Sequence, residues 1–187
     1  MFLQRWENGE APPTHREICA RFGFRSPKAA ADHIAALVKK GCLTHGPNQS
    51  RGVCLTDRAM GIPILGEIPA GLPVPTDESV DGYLTLNTRN LGLSDRRNAF
   101  FLRVKGDSMT GRQIFDGDLV LIEKCSRGQH QDIVAALIDN ESTLKTLIIN
   151  NGAIWLQSEN AKYPDLAPAF DLQIQGVARG VFRLFPS

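Results

Sequence analysis

Two hydrophobic rhythms divide the chain. Between His15 and Phe22, and again between Pro27 and Lys40, apolar residues fall three and four positions apart, which collects them on one face of an α-helix. In the second stretch Ala30, Ile34, Leu37 and Val38 form the predicted core face, leaving Ser26, Lys28, Ala29, Ala31 and Asp32 on the other side. Thr14 and Glu17 have the S/T-x-x-E spacing of a reciprocal cap, so a helix should start at Thr14; it ends at Gly23. Ser26-Pro27 offers an N-cap followed by proline at the first helical position, and Gly41 stops the second helix.

Downstream the rhythm shortens. Cys42-Leu43-Thr44 and Gly52-Val53-Cys54-Leu55 bracket a Gly/Pro/Asn/Gln/Ser loop, as the strands of a hairpin would. From Thr56 to Ile62 helical periodicity is lost and a short hinge is predicted. Beyond it come apolar runs at Phe100 to Val104, Leu119 to Ile122, Ile133 to Ile138, Thr143 to Ile149 and Ala153 to Leu156. Turn formers such as Asp116-Gly117-Asp118 and Asn150-Asn151-Gly152 separate them, the punctuation of a mostly antiparallel β domain. Asp116 and Asp118 flank a glycine between two strands, which marks turn residues rather than metal ligands.

Two capped helices joined by a tight turn and followed by a hairpin predict a winged helix-turn-helix. Its second helix would read base edges in double-stranded DNA, and Arg51 in the wing would meet a phosphate. The same pattern also occurs in small helical domains with no DNA role, so it leaves that alternative open. The expected class is therefore α+β: residues 1–56 as the winged head, 57–63 as a hinge and 64–187 as the β domain.

Charge favours the DNA reading. The chain of 187 residues carries a net charge of +1, but residues 1–57 hold eight Lys/Arg against five Asp/Glu while the rest hold thirteen against fifteen. The cysteines, Cys19, Cys42, Cys54 and Cys125, form no CxxC pair, which argues against a zinc site or a secreted disulfide framework. Cys42 and Cys54 read as small apolar fillers of the hairpin, and His15, His33 and His45 as surface residues. No apolar run approaches the roughly 18 residues of a membrane span, and the N-terminus lacks the order of a signal peptide. A soluble cytoplasmic protein with no metal, cofactor or membrane partner is expected.

The candidate chemistry lies in Val104-Lys-Gly-Asp-Ser-Met109 and Thr143-Leu-Lys-Thr-Leu147. No GxSxG elbow surrounds Ser108, and His130, the only downstream histidine, sits in a polar stretch, so a Ser-His-Asp triad is poorly supported. A lysine acts as base only when neutral, which requires burial to lower its pKa from about 10.4. Leu144, Leu147, Ile148 and Ile149 surround Lys145 and supply such a setting. A lone lysine on an apolar strand commonly points to solvent instead. The serine context and an upstream dipeptide, Ala70-Gly71, must carry the rest.

Over nearly its whole length the sequence resembles the LexA repressor family, whose C-terminal half is a self-cleaving S24 serine peptidase. The matching segments are Pro12-Pro-Thr14, Phe22-Gly-Phe-Arg-Ser-Pro27, Lys40-Gly41, Ser50-Arg-Gly52, Ile64-Leu-Gly-Glu-Ile-Pro-Ala-Gly71, Leu102-Arg-Val-Lys-Gly-Asp-Ser-Met109, Asp116-Gly-Asp-Leu119, Thr143-Leu-Lys145 and Glu159-Asn160. The resemblance implies Ser108 as nucleophile, Lys145 as general base, backbone N–H groups of Asp107 and Ser108 as oxyanion hole, and the Ala70-Gly71 bond as substrate. It further implies a homodimer on palindromic operators of DNA-damage (SOS) response genes, cleaved when a RecA filament on single-stranded DNA favours the cleavable state.

Three departures bear on the carry-over. Only Met1 to Gly9 precedes the cap region, so either translation starts upstream or the head is less stable than its relatives. Lys28 stands where well-studied members have Asn, and Ala31 and Asp32 where they have Glu, which predicts a different operator. Asp107 replaces the Met common before the serine. The competing readings are a processing peptidase, since membrane-anchored type I signal peptidases also use Ser and Lys, a phage-type cleavable repressor, and a DNA-binding regulator with an inactive peptidase site.

Overall fold

The structure is a computed structural model that describes residues 1–46, 52–66, 80–86, 91, 93, 95–138, 141–166 and 172–185. The chain divides into two compact units, Met1–Gly61 and Ile62–Ser187.

The first unit runs α1 (Phe2–Glu7), α2 (His15–Phe22), α3 (Pro27–Lys39), β1 (Leu43–His45), β2 (Val53–Leu55) and α4 (Asp57–Met60). The reciprocal cap forms as the spacing predicts: Thr14 Oγ1 accepts from the Glu17 N–H, and the Glu17 carboxylate accepts from the Thr14 N–H at 2.7 Å. Gly23 closes α2 at φ 70°, a left-handed position that costs glycine nothing. The Ser26 hydroxyl caps α3 by accepting from Ala29 N–H. β1 and β2 pair antiparallel with Leu43 opposite Leu55.

Ile18, Ala30, Ile34 and Leu43 form the core of this unit, with Val38 packed against it. Leu37, expected on the core face, is instead 37% exposed. Ala30, Ile34 and Val38 form one i, i+4, i+8 row that takes the packing, and Leu37 lies on its edge. The predicted hinge also needs correction. Residues 57–60 form α4, with the Thr56 hydroxyl donating to Gly41 O at 2.6 Å, and a strand of the second unit begins at Ile62. A single helical turn is too short for its period to register in the sequence.

The second unit contains β3 (Ile62–Leu65), β4 (Val80–Leu84), β5 (Ala99–Arg103), β6 (Leu119–Lys124), β7 (Ile133–Ile138), β8 (Glu141–Asn150), β9 (Ala153–Gln157) and β10 (Leu172–Phe182). Among the described residues they make one sheet in the order β4-β3-β5-β6-β10-β7-β8-β9, antiparallel throughout except for the β3–β5 pair. The expectation of a mostly antiparallel β domain holds. Strands β5 and β6 are buried on both faces: Phe100, Leu102, Val120 and Ile122 join one cluster, and Ala99, Phe101, Leu119 and Leu121 another. That double burial is why their sequences read as unbroken apolar runs rather than alternating ones.

The longest strand, β10, lies between β6 and β7 yet falls outside the runs that the pattern marked. Bulges interrupt its pairing on both sides, and Gly176 breaks its apolar alternation. A Cβ at Gly176 would lie 2.4 Å from Glu123 O, so only glycine permits this approach.

Candidate active site

Ser108 lies in the loop that leaves β5, and the loop is built to hold it still. Gly106 takes φ +84° and donates its N–H to Asp116 Oδ1 at 2.7 Å. Met109, next to the serine, is 2% exposed and packs into the core with Val104 and Ile114. A 3-10 turn over Thr110–Arg112 follows. The carboxylates read as turn residues therefore also brace the serine loop. Asp118 is buried, accepts from Phe115 N–H at 2.8 Å, and is gripped by Arg183 through Nε and Nη2 at 2.7 Å each.

Lys145 stands within β8, opposite Val134 of β7, and is 7% exposed. Its Nζ lies 2.9 Å from Ser108 Oγ, 2.9 Å from Thr143 Oγ1 and 3.1 Å from Leu144 O. Burial holds the amine below the ordinary lysine range. Among the described residues no carboxylate is ion-paired with it. The three contacts suit a neutral amine, which can donate to Thr143 Oγ1 and Leu144 O while its lone pair accepts the Ser108 O–H. Thr143 was not among the residues singled out from the sequence. The signals for it are its place in the family-like segment Thr143-Leu-Lys145 and its spacing of two from Lys145, on the same side of a strand.

The segment after β9 reaches back to the serine loop. Glu159 N–H donates to Ser108 O at 2.8 Å, and Glu159 O accepts from Gly111 N–H at 2.7 Å. Glu159 Oε1 accepts from Thr146 Oγ1 at 2.6 Å and from Arg112 Nε at 3.1 Å, so one side chain ties the lysine strand to the serine turn. Asn160 Nδ2 donates to Asp107 O at 2.9 Å and to Asp107 Oδ2 at 3.2 Å. Tyr163 donates its hydroxyl to Asp107 Oδ1, and Lys162 Nζ lies 3.5 Å from Oδ2. The Tyr163 hydroxyl first, and Lys162 after it, holds the Asp107 carboxyl below its usual range, while the Tyr163 phenol is raised. His130 Nδ1 accepts from Ile149 N–H at 3.1 Å, outside this cluster.

On the head, Lys28 and Asp32 of α3 are exposed, while Ala29 and Ala31 are half-buried. Ser26 is exposed but its hydroxyl oxygen serves the cap. His15, His33 and His45 are exposed as expected, and His33 stacks on Phe24 with ring centroids 4.6 Å apart. Arg51, Ala70 and Gly71 lie outside the described residues.

Residues 63–179 match the family model described as Peptidase S24-like, and residues 4–52 match the one described as LexA DNA binding domain. A LexA repressor from Verrucomicrobium spinosum is 45% identical over 175 residues, covering 91% of this chain and 86% of that protein. The chain belongs to the LexA repressor family. A LexA repressor from Dechloromonas aromatica is 39% identical, covering 92% of this chain and 86% of its own length. LexA repressor 1 from Geobacter sulfurreducens is 38% identical, with coverages of 95% and 89%.

In this LexA-family chain the two matches follow the division at Gly61. The exposed α3 residues Lys28 and Asp32 fall within the DNA-binding match, and Ser108 and Lys145 within the peptidase match. No described helix is long and apolar enough to cross a membrane. The peptidase unit thus presents a hydroxyl and a desolvated amine in hydrogen-bond contact, a pair suited to nucleophilic attack on a carbonyl.

Proposed function

We propose that this LexA-family chain is a cytoplasmic repressor of DNA-damage response genes that binds palindromic double-stranded operators as a homodimer and inactivates itself by cutting Ala70-Gly71. The contact between Lys145 Nζ and Ser108 Oγ, in a buried setting with no ion-paired carboxylate among the described residues, is the observation that carries the reading. Ser108 is the nucleophile and Lys145 the general base. Lys145 takes the Oγ proton as Oγ attacks the Ala70 carbonyl carbon, and backbone N–H groups of Asp107 and Ser108 receive the developing oxyanion.

Collapse of the tetrahedral intermediate breaks the bond to Gly71, whose nitrogen takes the proton from Lys145. Water, deprotonated by the same amine, then hydrolyses the Ser108 ester and frees a carboxylate at Ala70. Because the substrate belongs to the same chain, effective concentration replaces substrate binding, and a RecA filament on single-stranded DNA acts by favouring the docked state. Cutting separates two linked half-site contacts into independent ones, which weakens operator binding. Lys28 and Asp32 in α3, flanked by Ser26, Ala29 and Ala31, meet base edges, and Arg51 meets a phosphate.

Incubation of the purified chain in alkaline buffer, followed by mass spectrometry, tests the reading. High pH neutralises Lys145 directly, so fragments ending at Ala70 and starting at Gly71 are expected without RecA, and none from Lys145→Ala. Equal cleavage by wild type and Lys145→Ala would sink the dyad.

A further inference from the structure

We infer that Asn160 is a positioning residue that aims the Ser108 backbone N–H at the developing oxyanion, an inference that rests on Ser108 being the nucleophile. A trans peptide unit is planar, so its C=O and the following N–H point in opposite directions. Asn160 Nδ2 holds Asp107 O at 2.9 Å, which fixes the plane that carries the Ser108 N–H. The neighbouring residue fixes the next plane, because Glu159 N–H holds Ser108 O at 2.8 Å. Both carbonyls that flank the serine Cα are therefore gripped by one dipeptide from another part of the chain.

The amide of Asn160 is itself held in a single orientation. Its Oδ1 accepts from Lys162 N–H at 3.1 Å, leaving Nδ2 to donate to both Asp107 O and Asp107 Oδ2. A flipped amide would set an oxygen against two acceptors. Asp107 supplies the second anchor, at the cost of a carboxylate beside the place where negative charge develops. Tyr163 and Lys162 draw that charge outward by bonding to its oxygens.

Removing one oxyanion donor slows comparable enzymes about 10²- to 10³-fold, and a misaimed donor loses part of that. Autocleavage of the full chain, followed across alkaline pH with melting curves for each variant, reads the effect. For Asn160→Ala the plateau rate should fall about 10- to 100-fold while the midpoint of the pH profile, which reports Lys145, stays where wild type has it. A merely structural loosening would admit water to Lys145 and move that midpoint upward. Asn160→Asp, isosteric but an acceptor where a donor is needed, should lose at least as much, and is decisive if the alanine variant melts early. Cleavage by both variants within about threefold of wild type, or an Asn160→Ala loss that comes with an upward midpoint, overturns the inference. Failure of wild type to cut, or cutting by Ser108→Ala, overturns the dyad instead.

Discussion

Lys145 Nζ lies 2.9 Å from Ser108 Oγ across 37 positions of sequence, and the amine makes this contact with 7% of the residue exposed. A buried amine binds its proton less tightly in the folded chain than in the unfolded one. Between its lowered folded pKa and about 10.4 the unfolded state therefore holds more protons, and stability rises with pH across that window. Replacing Lys145 with Met should stabilise the peptidase unit at neutral pH by on the order of 1 kcal/mol while abolishing cleavage. Lys124, also lowered by burial, has the same sign, so the wild-type-minus-Met difference in melting temperature against pH isolates Lys145. A variant that melts lower than wild type at pH 7 would contradict this.

The head has its own pH signature. Arg5 Nη2 donates to Glu17 Oε1 at 2.6 Å, and this contact first, then the Thr14 N–H and hydroxyl, lowers Glu17 from 4.5 to about 2. Here the folded pKa is depressed, so the contribution is present above about 4.5 and is lost as pH falls towards 2. Glu17→Gln keeps a capping acceptor but not the charge, and should flatten this acid dependence in helical circular dichroism melts. An unchanged acid profile would show that the Arg5 contact contributes nothing.

Gly111 should not tolerate a methyl group. Its Cβ would sit 2.5 Å from Glu159 O, the same oxygen that accepts the Gly111 N–H. Gly111→Ala must push residues 159–160 away from the serine loop. The expected results are autocleavage at least tenfold slower, by gel densitometry, and a stability loss of about 1–3 kcal/mol in urea. Wild-type values for both would show that the segment yields freely.

Arg183→Ala strands a carboxylate that is 1% exposed with the Phe115 N–H as its remaining donor among the described contacts. Because the arginine side chain is 42% exposed, the loss of stability should be measurable by urea titration but below that of a fully buried pair. Arg183 holds the Asp118 carboxyl below its ordinary value, so wild type should lose this stability as pH falls below about 4. The variant should show less of that acid dependence, and an Arg183→Ala midpoint equal to wild type at pH 7 would rule the pair out as a stabilising contact.

What could be read from the sequence follows how local each signal is. The caps at Thr14 and Ser26 and the glycine stop at Gly23 act within a few residues, so their side-chain chemistry announces them in one dimension. α4 was hidden because one turn has no period, and β10 because its bulges and glycines break the alternation on which a strand assignment depends.

By itself the sequence determined the helical head, the antiparallel class of the rest, and the identity of Ser108 and Lys145 as candidate chemistry. The first two rest on residue type and short-range spacing, and the pairing of Ser108 with Lys145 rests on the resemblance of their segments to the LexA repressor family. Only the tertiary structure decided that Lys145 is buried with no ion-paired carboxylate among the described residues, that Leu37 stays exposed, and that Glu159 and Asn160 hold the peptides around a serine about fifty positions away. Desolvation depends on what covers a residue, and a hydrogen bond depends on which distant groups the sheet brings within 3 Å. Neither leaves a periodic trace along the chain.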